Sequence, residues 1–228
     1  MQNKIVTTAD GSHSIFVPAF NENYHSVHGA IQESQHVFID AAFKEKSKEN
    51  TDIRIFEMGF GTGLNAFMTY LEQKKQDSKI RIHYHTIEAF PISLETAFQL
   101  NYAEKLAANS EKIAFEALHR AVWNDTTDIA PRFRLTKYHN KIEDIDLPNN
   151  YFDIIYFDAF APSSQANLWT AEMFIKMYNC LKINGILTTY CAKGVVKRIM
   201  KSVGFKLEAL PGPIGKREMT RLRKVHLG

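Results

Sequence analysis

The chain has 228 residues, of which 45% are hydrophobic and 23% charged, with a formal net charge of +3. This balance is typical of a globular protein and excludes a disordered or fibrous chain, and the length suits one α/β domain with a short appendage. The sequence contains no apolar run of about 18 residues and no apolar segment after a basic start, so we predict no membrane span, no signal peptide and a cytoplasmic location.

The basic residues are unevenly distributed. Residues 193–228 contain ten Lys and Arg against two Glu, a local net charge of +8, whereas the rest of the chain carries −5. A basic end on an acidic body is typical of a protein that binds a polyanion on one face, and a solvated basic tail is the alternative. Cys180 and Cys191 have neither metal-ligand nor disulfide spacing, so we predict two reduced cysteines and no metal site.

The first 50 residues predict a hairpin and a helical cap, followed by a main domain over residues 51–228. Asp10 and Gly11 form a turn signal between the segments KIVTT and HSIFVP, because glycine accepts positive φ there. Residues 26–46 have a mostly helical pattern. No Pro/Gly-rich linker separates the two parts.

The main domain alternates strands and helices. The predicted strands are IRIFE, IRIHYHTIE, FRLTKY, YFDIIYFDAF, GILTTY, FKLEAL and REMTRLR. Helical patterns follow from Leu64, from Ser93 to about Ala121, from Met173 to Leu181 and from Val195 to Val203. The alternation predicts an α/β, Rossmann-like fold with a doubly wound, mostly parallel sheet, whose ligand sites lie at the carboxyl ends of the strands.

A glycine-rich loop follows the first strand of this domain and precedes a helix. Gly59, Gly61 and Gly63 permit a tight turn and a close approach of the backbone to a ligand. Glu57 would repel a pyrophosphate but suits the cationic amino acid moiety of S-adenosylmethionine, and the glycine spacing differs from the dinucleotide pattern G-x-G-x-x-G. Glu88, at the end of the second strand, can accept both ribose hydroxyls. Each glutamate has a purely structural alternative.

Asp158 ends the fourth strand and begins the segment Asp158–Pro162. A carboxylate, a loop carbonyl and a proline-stiffened turn can together hold an amine with its lone pair directed at a methyl carbon. An alkylamine with a pKa of about 10 must lose a proton first, which costs roughly 4 kcal/mol at pH 7. We therefore predict that Asp158 is catalytic, orienting the ammonium group and accepting or relaying its proton. Capping of the loop is the structural alternative.

Four motifs in order, EMGFGTGLN, IEAFP, FDAFAP followed by LWT, and GKREM, resemble the bacterial tRNA (5-aminomethyl-2-thiouridine) methyltransferase family. The resemblance extends from about Phe20 to Arg221. In many bacteria this family forms the amino-terminal half of a bifunctional enzyme. The resemblance implies methyl transfer from S-adenosylmethionine to the primary amine of 5-aminomethyl-(2-thio)uridine at the wobble position of tRNA. No flavin-dependent oxidoreductase half is present, so we expect a standalone form that receives an aminomethyl substrate.

The resemblance also implies roles for individual residues, with Asp158 as the catalytic aspartate. On the cofactor side it places Glu57, Gly59, Gly61, Thr62, Gly63, Asn65 and Glu88. It places Phe160, Pro162 and Trp169 in a substrate-facing loop, although Trp169 equally suits the core. Asn140 stands where many relatives have an acidic residue near adenine, so an amide or backbone contact is expected there. The segment from Tyr24 to Phe38 resembles the family's cap over the cofactor.

A tRNA partner requires phosphate contacts, which the basic end can supply. The candidates are Lys193, Lys197, Arg198, Lys201, Lys216, Arg217, Arg221 and Arg223, of which Lys193, Lys216 and Arg217 are our predicted substrate-binding residues. Two alternatives stay open. One is a methyltransferase for a small amine or hydroxyl, which has no use for the basic end; the other is a noncatalytic RNA-binding module that keeps a Rossmann-like shell.

Overall fold

The computed structural model describes residues 3–76 and 79–225. Its strands are β1 (Lys4–Thr7), β2 (His13–Val17), β3 (Glu22–Asn23), β4 (Asp52–Met58), β5 (Arg81–Glu88), β6 (Asp125–Ala130), β7 (Phe133–His139), β8 (Phe152–Phe157), β9 (Leu181–Thr189), β10 (Lys206–Pro211) and β11 (Glu218–Arg223). Its α-helices are α1 (Ala30–Ser34), α2 (Lys44–Ser47), α3 (Leu64–Lys75), α4 (Leu94–Phe98), α5 (Tyr102–Lys105), α6 (Lys112–Arg120), α7 (Ala171–Cys180) and α8 (Gly194–Ser202). A π-helical segment, Gln35–Phe43, joins α1 to α2, and 3-10 helices lie at Asn109–Glu111, Ile142–Asp144 and Ala166–Trp169.

Eight strands form the main sheet, in the order β10-β11-β9-β8-β4-β5-β7-β6. The neighbours from β9 through β8, β4 and β5 to β7 pair in parallel, and only β6 and β11 run against their neighbours. All six residues of β8 are buried, as expected for a strand with helices on both faces of its sheet. The predicted α/β, doubly wound, mostly parallel sheet is confirmed.

The sheet contains one strand that the sequence pattern did not predict. Strand β6 has the polar sequence DTTDIA, which lacks the alternation of a half-buried strand. It lies at the sheet edge and pairs with β7 alone, through a turn in which Arg132 takes a φ of 65°. Edge strands tolerate polar residues on both faces, so pairing rather than side-chain pattern defines this strand.

Two other predictions were wrong in their boundaries. Strand β9 begins at Leu181, before the start of the predicted strand GILTTY at Gly185, because Asn184 takes a φ of 62° and the register with β8 shifts instead of ending. Asparagine tolerates this left-handed backbone, so the strand continues through an irregularity. The predicted helical stretch from Ser93 to Ala121 divides into α4, α5 and α6, with Ala107 at a φ of 52° between the last two.

The cap segment, residues 4–47, consists of the small antiparallel sheet β1-β2-β3 and the helix that runs from α1 to α2. Phe38 and Phe43 of this helix are completely buried, and the Phe38 ring lies 5.1 Å from the ring of Tyr156 on β8. The cap therefore shares a hydrophobic core with the main sheet. A boundary at residue 50 stays a prediction. Among the described residues, no helix is both long and apolar enough to cross a bilayer.

Candidate active site

A cleft opens where the parallel strands β4, β5, β7 and β8 end, with about 1020 Å³ of empty space, its open mouth included. Loops that follow these four strands line it together with two cap residues. The lining residues are Tyr24, His25, Met58, Gly59, Phe60, Gly61, Thr62, Leu64, Asn65, Ile87, Glu88, Ala89, Phe90, Asn140, Lys141, Ile142, Glu143, Asp158, Ala159, Phe160, Gln165, Asn167 and Leu168. The carboxyl edge of a doubly wound sheet is where such folds bind ligands.

The glycine loop between β4 and α3 has a backbone that other residues adopt only with strain. Gly59, Gly61 and Gly63 have φ angles of 89°, 50° and 72°. A Cβ on Gly61 would lie 2.9 Å from the ring of Tyr24, and one on Gly63 would lie 2.7 Å from Nε2 of His119. No side chain of the described residues caps α3 at Gly63, so the N–H groups of its first turn are open to a ligand at the cleft.

Glu88 connects the end of β5 to the glycine loop. Its carboxylate accepts hydrogen bonds from the backbone N–H of Gly61 and of Phe90, each at 3.0 Å. An ionised carboxylate has about four acceptor positions, so Glu88 can still accept two ribose hydroxyls. Asn140 lines the same cleft after β7, and its Oδ1 accepts from the Lys141 N–H at 2.9 Å.

Glu57 lies beneath the cleft rather than on its wall. It is 1% exposed, and both carboxylate oxygens lack a hydrogen-bond partner among the described residues. Burial raises the pKa of Glu57 well above its ordinary value, and the charge of Asp158 adds to this shift. Oδ1 of Asn65, which does line the cleft, is also buried without a partner. Unpaired polar atoms at this depth are typical of a site completed by ligand or water.

Two residues that the sequence analysis did not select hold the glycine loop from behind. His119 on α6 donates from Nε2 to the carbonyl of Thr62 at 3.1 Å. Lys137 on β7 donates to the carbonyls of Leu118 and His119, and its ammonium lies 4.9 Å from the centroid of the Phe60 ring. The alternation in FRLTKY could have predicted that Lys137 is buried, because Lys137 lies on the same face of β7 as the buried Phe133 and Leu135.

Asp158 lies at the cleft end of β8. Its Oδ2 accepts a hydrogen bond from Nδ2 of Asn65 at 2.8 Å. Burial raises the pKa of Asp158 to about 7, the charge of Glu33 adds to the rise, and Asn65 and Lys216 oppose it. A carboxyl group that titrates near neutral pH, in a cleft, has the properties of a general base.

Residues 158–165, the acceptor loop, are held by hydrogen bonds from several directions. Nε1 of Trp169 donates to the carbonyl of Phe160 at 2.8 Å, and the hydroxyl of Tyr190 donates to the carbonyl of Ala159 at 2.9 Å. Glu22 of the cap accepts from the hydroxyl of Ser164 at 2.6 Å. The loop is therefore positioned by residues that are far apart in the sequence.

The predicted substrate-facing residues occupy different environments. The Phe160 ring lines the cleft, 4.9 Å from the ring of Phe20 and 5.1 Å from that of Tyr24. Trp169 is 4% exposed, packs against Phe157 and does not line the cleft, so its visible role is to hold the loop. Pro162 is half-buried within the loop. Direct substrate contacts of these residues stay a prediction.

The cap contributes His25 to the cleft wall. Its Nδ1 lies 3.2 Å from Oγ of Ser14, and its Nε2 lies 3.5 Å from Oγ1 of Thr62. Burial lowers the pKa of His25 to about 4, so the ring is neutral at pH 7. Its contacts are those of a residue that joins the cap to the glycine loop.

The basic residues divide into paired and unpaired groups. Ion pairs join Lys197 to Glu218, Lys216 to Glu33, Arg221 to Glu208, and Arg223 to Glu208 and Glu45. Lys193, Arg198, Lys201 and Arg217 are exposed and make no ion pair with any other described residue. Lys193 follows β9 and Arg217 precedes β11. Because Thr189 pairs with Thr220, both lie at the carboxyl edge where the cleft opens.

Cys180 and Cys191 are buried and free, and no group of His, Cys, Asp and Glu in the described part of the chain is arranged to hold a metal ion. The site instead fits S-adenosylmethionine. The glycine backbone forms a cradle that Cβ atoms would fill, Glu88 retains acceptor capacity for the ribose, and Asn65 presents an unpaired amide oxygen.

Comparisons with known proteins agree with this geometry. The family described as S-adenosyl-L-methionine-dependent methyltransferase matches residues 104–224, more than half of the chain. The tRNA 5-methylaminomethyl-2-thiouridine biosynthesis bifunctional protein MnmC of Leptospira borgpetersenii serovar Hardjo-bovis (strain JB197) is 29% identical over 215 residues, which cover 88% of this chain and 32% of that protein. The protein of the same name from Burkholderia multivorans is 29% identical, with coverages of 89% and 32%. The chain thus spans about a third of the length of these relatives.

Solved structures share the fold. The crystal structure of MNMC2 from Aquifex aeolicus matches with a TM-score of 0.77 and 24% identity, covering 97% of this chain and 70% of that one. Spermidine synthase from Thermotoga maritima matches with a TM-score of 0.56 and 12% identity, with coverages of 100% and 73%. The predicted resemblance to the methyltransferase half of the bifunctional enzymes, and the predicted cofactor, are confirmed. The chain belongs to the S-adenosyl-L-methionine-dependent methyltransferase family.

Proposed function

We propose that this chain transfers a methyl group from S-adenosylmethionine to the primary amine of 5-aminomethyl-(2-thio)uridine at the tRNA wobble position, giving 5-methylaminomethyl-(2-thio)uridine. The observation that carries the proposal is Asp158, a carboxyl group with a pKa near 7 at the edge of the cofactor cleft. The names of the curated relatives, which refer to biosynthesis of this tRNA nucleoside, support the choice of acceptor.

The glycine loop, Glu88 and Asn140 would hold the cofactor, with Glu88 accepting from the ribose hydroxyls and Asn140 near the adenine. When bound, S-adenosylmethionine supplies an electrophilic methyl group whose bond to sulfur breaks as the new C–N bond forms, leaving S-adenosylhomocysteine. Glu57 does not reach the cleft wall, so it would support the cofactor site only from beneath the glycine loop.

Asp158 would prepare the amine. An alkylammonium has a pKa of about 10 and no free lone pair, so it must lose a proton before it can accept a methyl group. Asp158 accepts a hydrogen bond from the ammonium and takes or relays this proton, while Asn65 fixes the carboxylate by donating to Oδ2. Alignment of nitrogen and methyl carbon supplies a further part of the acceleration.

The aromatic residues beside the cleft would receive the base. A wobble base lies in a single-stranded loop, so turning it outward costs little, and aromatic faces bind such bases by stacking. Phe20, Tyr24 and Phe160 form a contiguous group of rings at the acceptor loop. Lys193 and Arg217, exposed at the same edge, would contact phosphates of the anticodon region.

Nucleoside analysis by mass spectrometry tests the reaction directly. Transfer RNA that carries 5-aminomethyluridine is analysed before and after incubation with the purified protein and S-adenosylmethionine, and the proposal expects a gain of one methyl on that nucleoside. No gain, with cofactor binding confirmed by calorimetry, would favour a small amine or hydroxyl as acceptor. Binding of tRNA without cofactor binding would favour a noncatalytic RNA-binding module.

A further inference from the structure

Lys216 belongs to the loop between β10 and β11, but its side chain points into the protein. Its ammonium donates to Oε1 of Glu33 at 2.5 Å and lies 3.9 Å from the centroid of the Tyr190 ring. The Glu33 side chain is 8% exposed. An ammonium between a buried carboxylate and an aromatic face is already engaged, so Lys216 differs from the exposed Arg217 beside it.

Both partners of Lys216 connect to the active site. The hydroxyl of Tyr190 donates to the carbonyl of Ala159, the residue that follows Asp158. Oε2 of Glu33 accepts from the backbone N–H of Ser26 at 2.8 Å, next to His25 on the cleft wall. Lys216 therefore stands where the cap, the acceptor loop and the β10–β11 loop meet.

The β10–β11 loop and the last residue of β10 are held against the cap at two further points. Nε2 of His36 donates to the carbonyl of Pro211 at 2.8 Å. Gly215 has a φ of 85°, and a Cβ on it would lie 2.1 Å from the ring of His28, so its backbone lies directly against that histidine. These contacts hold the loop close to the cap and so keep Lys216 near Glu33.

We propose that Lys216 is a positioning residue that fixes the acceptor loop against the cap through Tyr190 and Glu33, and so sets the place of Asp158. The consequence for methyl transfer rests on the proposed function, whereas the positioning of the loop does not. Lys216 and Glu33 also act on the charge of Asp158 with opposite signs. The charged and titratable groups that interact electrostatically with Asp158 are, among the described residues, Glu33, Glu57, Tyr84, Tyr190 and Lys216.

The chain offers a matched control for this ion pair. Lys182 donates to Asp153 at 2.8 Å; its side chain is 32% exposed, as is that of Lys216, and its partner is 9% exposed. Asp153 lies near the start of β8, at the opposite edge of the sheet from Asp158. Lys182→Met therefore removes an equivalent ion pair far from the cleft.

Hydrogen–deuterium exchange of the free protein measures the positioning without any assumption about substrate. We expect Lys216→Met to increase exchange in residues 158–165 and 26–36, whereas Lys182→Met leaves those segments as in the wild type. Lys216→Arg keeps a cation for Glu33 and Tyr190 and should restore most of the protection. Equal exchange in Lys216→Met and Lys182→Met would overturn the proposal, and if Lys216→Met does not fold, the same comparison is made with Glu33→Gln.

Kinetics then separate positioning from general stability. Lys216→Met should lower kcat on the order of 10- to 100-fold with little change in the KM for S-adenosylmethionine, because a small displacement of an aligned group costs this much. Removing the cation raises the pKa of Asp158, so the acidic limb of the pH profile should move to higher pH, whereas Glu33→Gln should move it to lower pH. If the acidic limb of the pH profile stays in place in both variants, the influence of Lys216 and Glu33 on the charge of Asp158 is contradicted. If the wild type is inactive but Lys216→Met alters the exchange, the result counts against the proposed substrate and not against the positioning role.

Discussion

The two halves of the cleft are held in place by different kinds of interaction. The cofactor half consists mainly of residues 58–65, which are continuous in the sequence and follow one strand into one helix, together with Glu88. The acceptor half is a short loop whose backbone is held by Glu22, Trp169 and Tyr190. Local backbone geometry thus shapes most of the cofactor half, with Glu88 and His119 as supports, and contacts between separate segments position the acceptor half.

This difference predicts that the two halves can be damaged separately. Changes in the glycine loop or its supports should weaken cofactor binding, because they alter the shape of the cradle. Changes in the acceptor loop or its supports should reduce turnover while the cofactor still binds. Variants that fail to separate in this way would show that the halves are mechanically coupled.

The largest effect is expected from Asp158→Asn. Loss of the carboxylate should reduce kcat by about 10²- to 10⁴-fold, the usual contribution of a general base. Affinity for S-adenosylmethionine, measured by calorimetry, should stay close to that of the wild type. Asp128→Asn, on the exposed edge strand β6, provides a control in which both quantities should be unchanged. Wild-type turnover in Asp158→Asn would remove the catalytic assignment.

The pH profile provides the next largest effect. The pKa of Asp158 is raised to about 7, so below this pH the protonated form predominates and cannot accept a proton from the amine. With saturating cofactor, the pH profile of kcat/KM should show an acidic break at or below about pH 7. Below this break, kcat/KM should lose an additional factor of about ten for each pH unit. A profile without this break would argue against Asp158 as the proton acceptor.

Gly61→Ala should selectively damage the cofactor half. Its Cβ would lie 2.9 Å from the Tyr24 ring, and its φ of 50° is unfavourable for alanine. We expect the Kd for S-adenosylmethionine to rise about tenfold or more, because the loop shifts to relieve the Tyr24 contact and a left-handed strain of about 1–2 kcal/mol, and the shift distorts the cradle. Gly11→Ala has the same backbone cost, at a φ of 81°, but its nearest neighbour is a lysine side chain at 3.5 Å, away from the cleft. An equal loss of affinity in both variants would contradict the local explanation.

A smaller effect is expected from His119→Leu. The loss of its hydrogen bond to the Thr62 carbonyl, which contributes about 1 kcal/mol, should let the glycine loop shift and weaken cofactor affinity by at most about fivefold. His85→Leu is the matched control, because burial lowers the pKa of both histidines to about 4, and His85 packs against Tyr138, outside the cleft wall. Calorimetry with the cofactor should separate the two variants, and kcat should differ little between them.

The smallest effect at physiological salt concerns tRNA. Combined Lys193→Glu and Arg217→Glu should weaken tRNA binding. The slope of log K against log salt should become less negative by about 2, one for each lost phosphate contact. Cofactor affinity should be unchanged. Lys112→Glu with Lys206→Glu alters the net charge equally at two other exposed positions. Identical salt slopes in the two double variants would contradict a phosphate-binding role for the carboxyl edge.

Much of the fold and of the cofactor half followed from the sequence. The strand, glycine loop and helix from Asp52 to Lys75 are encoded by neighbouring residues, since apolar spacing and glycine act within a few positions. The position of Asp158 at the end of a buried strand followed for the same reason, as did the parallel sheet. The sequence predicted that Glu57 faces the cofactor, whereas the structure places it beneath the cleft, because its depth depends on which residues cover it.

The tertiary structure decided the rest. Strand β6 exists through its pairing with β7 and not through its own polar residues. Lys216, which charge alone assigned to tRNA, forms an ion pair with Glu33, 183 positions away in the sequence. Trp169 holds the backbone of Phe160 from the core. Such contacts leave no periodic trace in the sequence, so local patterns determined the glycine loop and the strands around the cleft, while hydrogen bonds and ion pairs between separate segments determined the acceptor half and the edge strand β6.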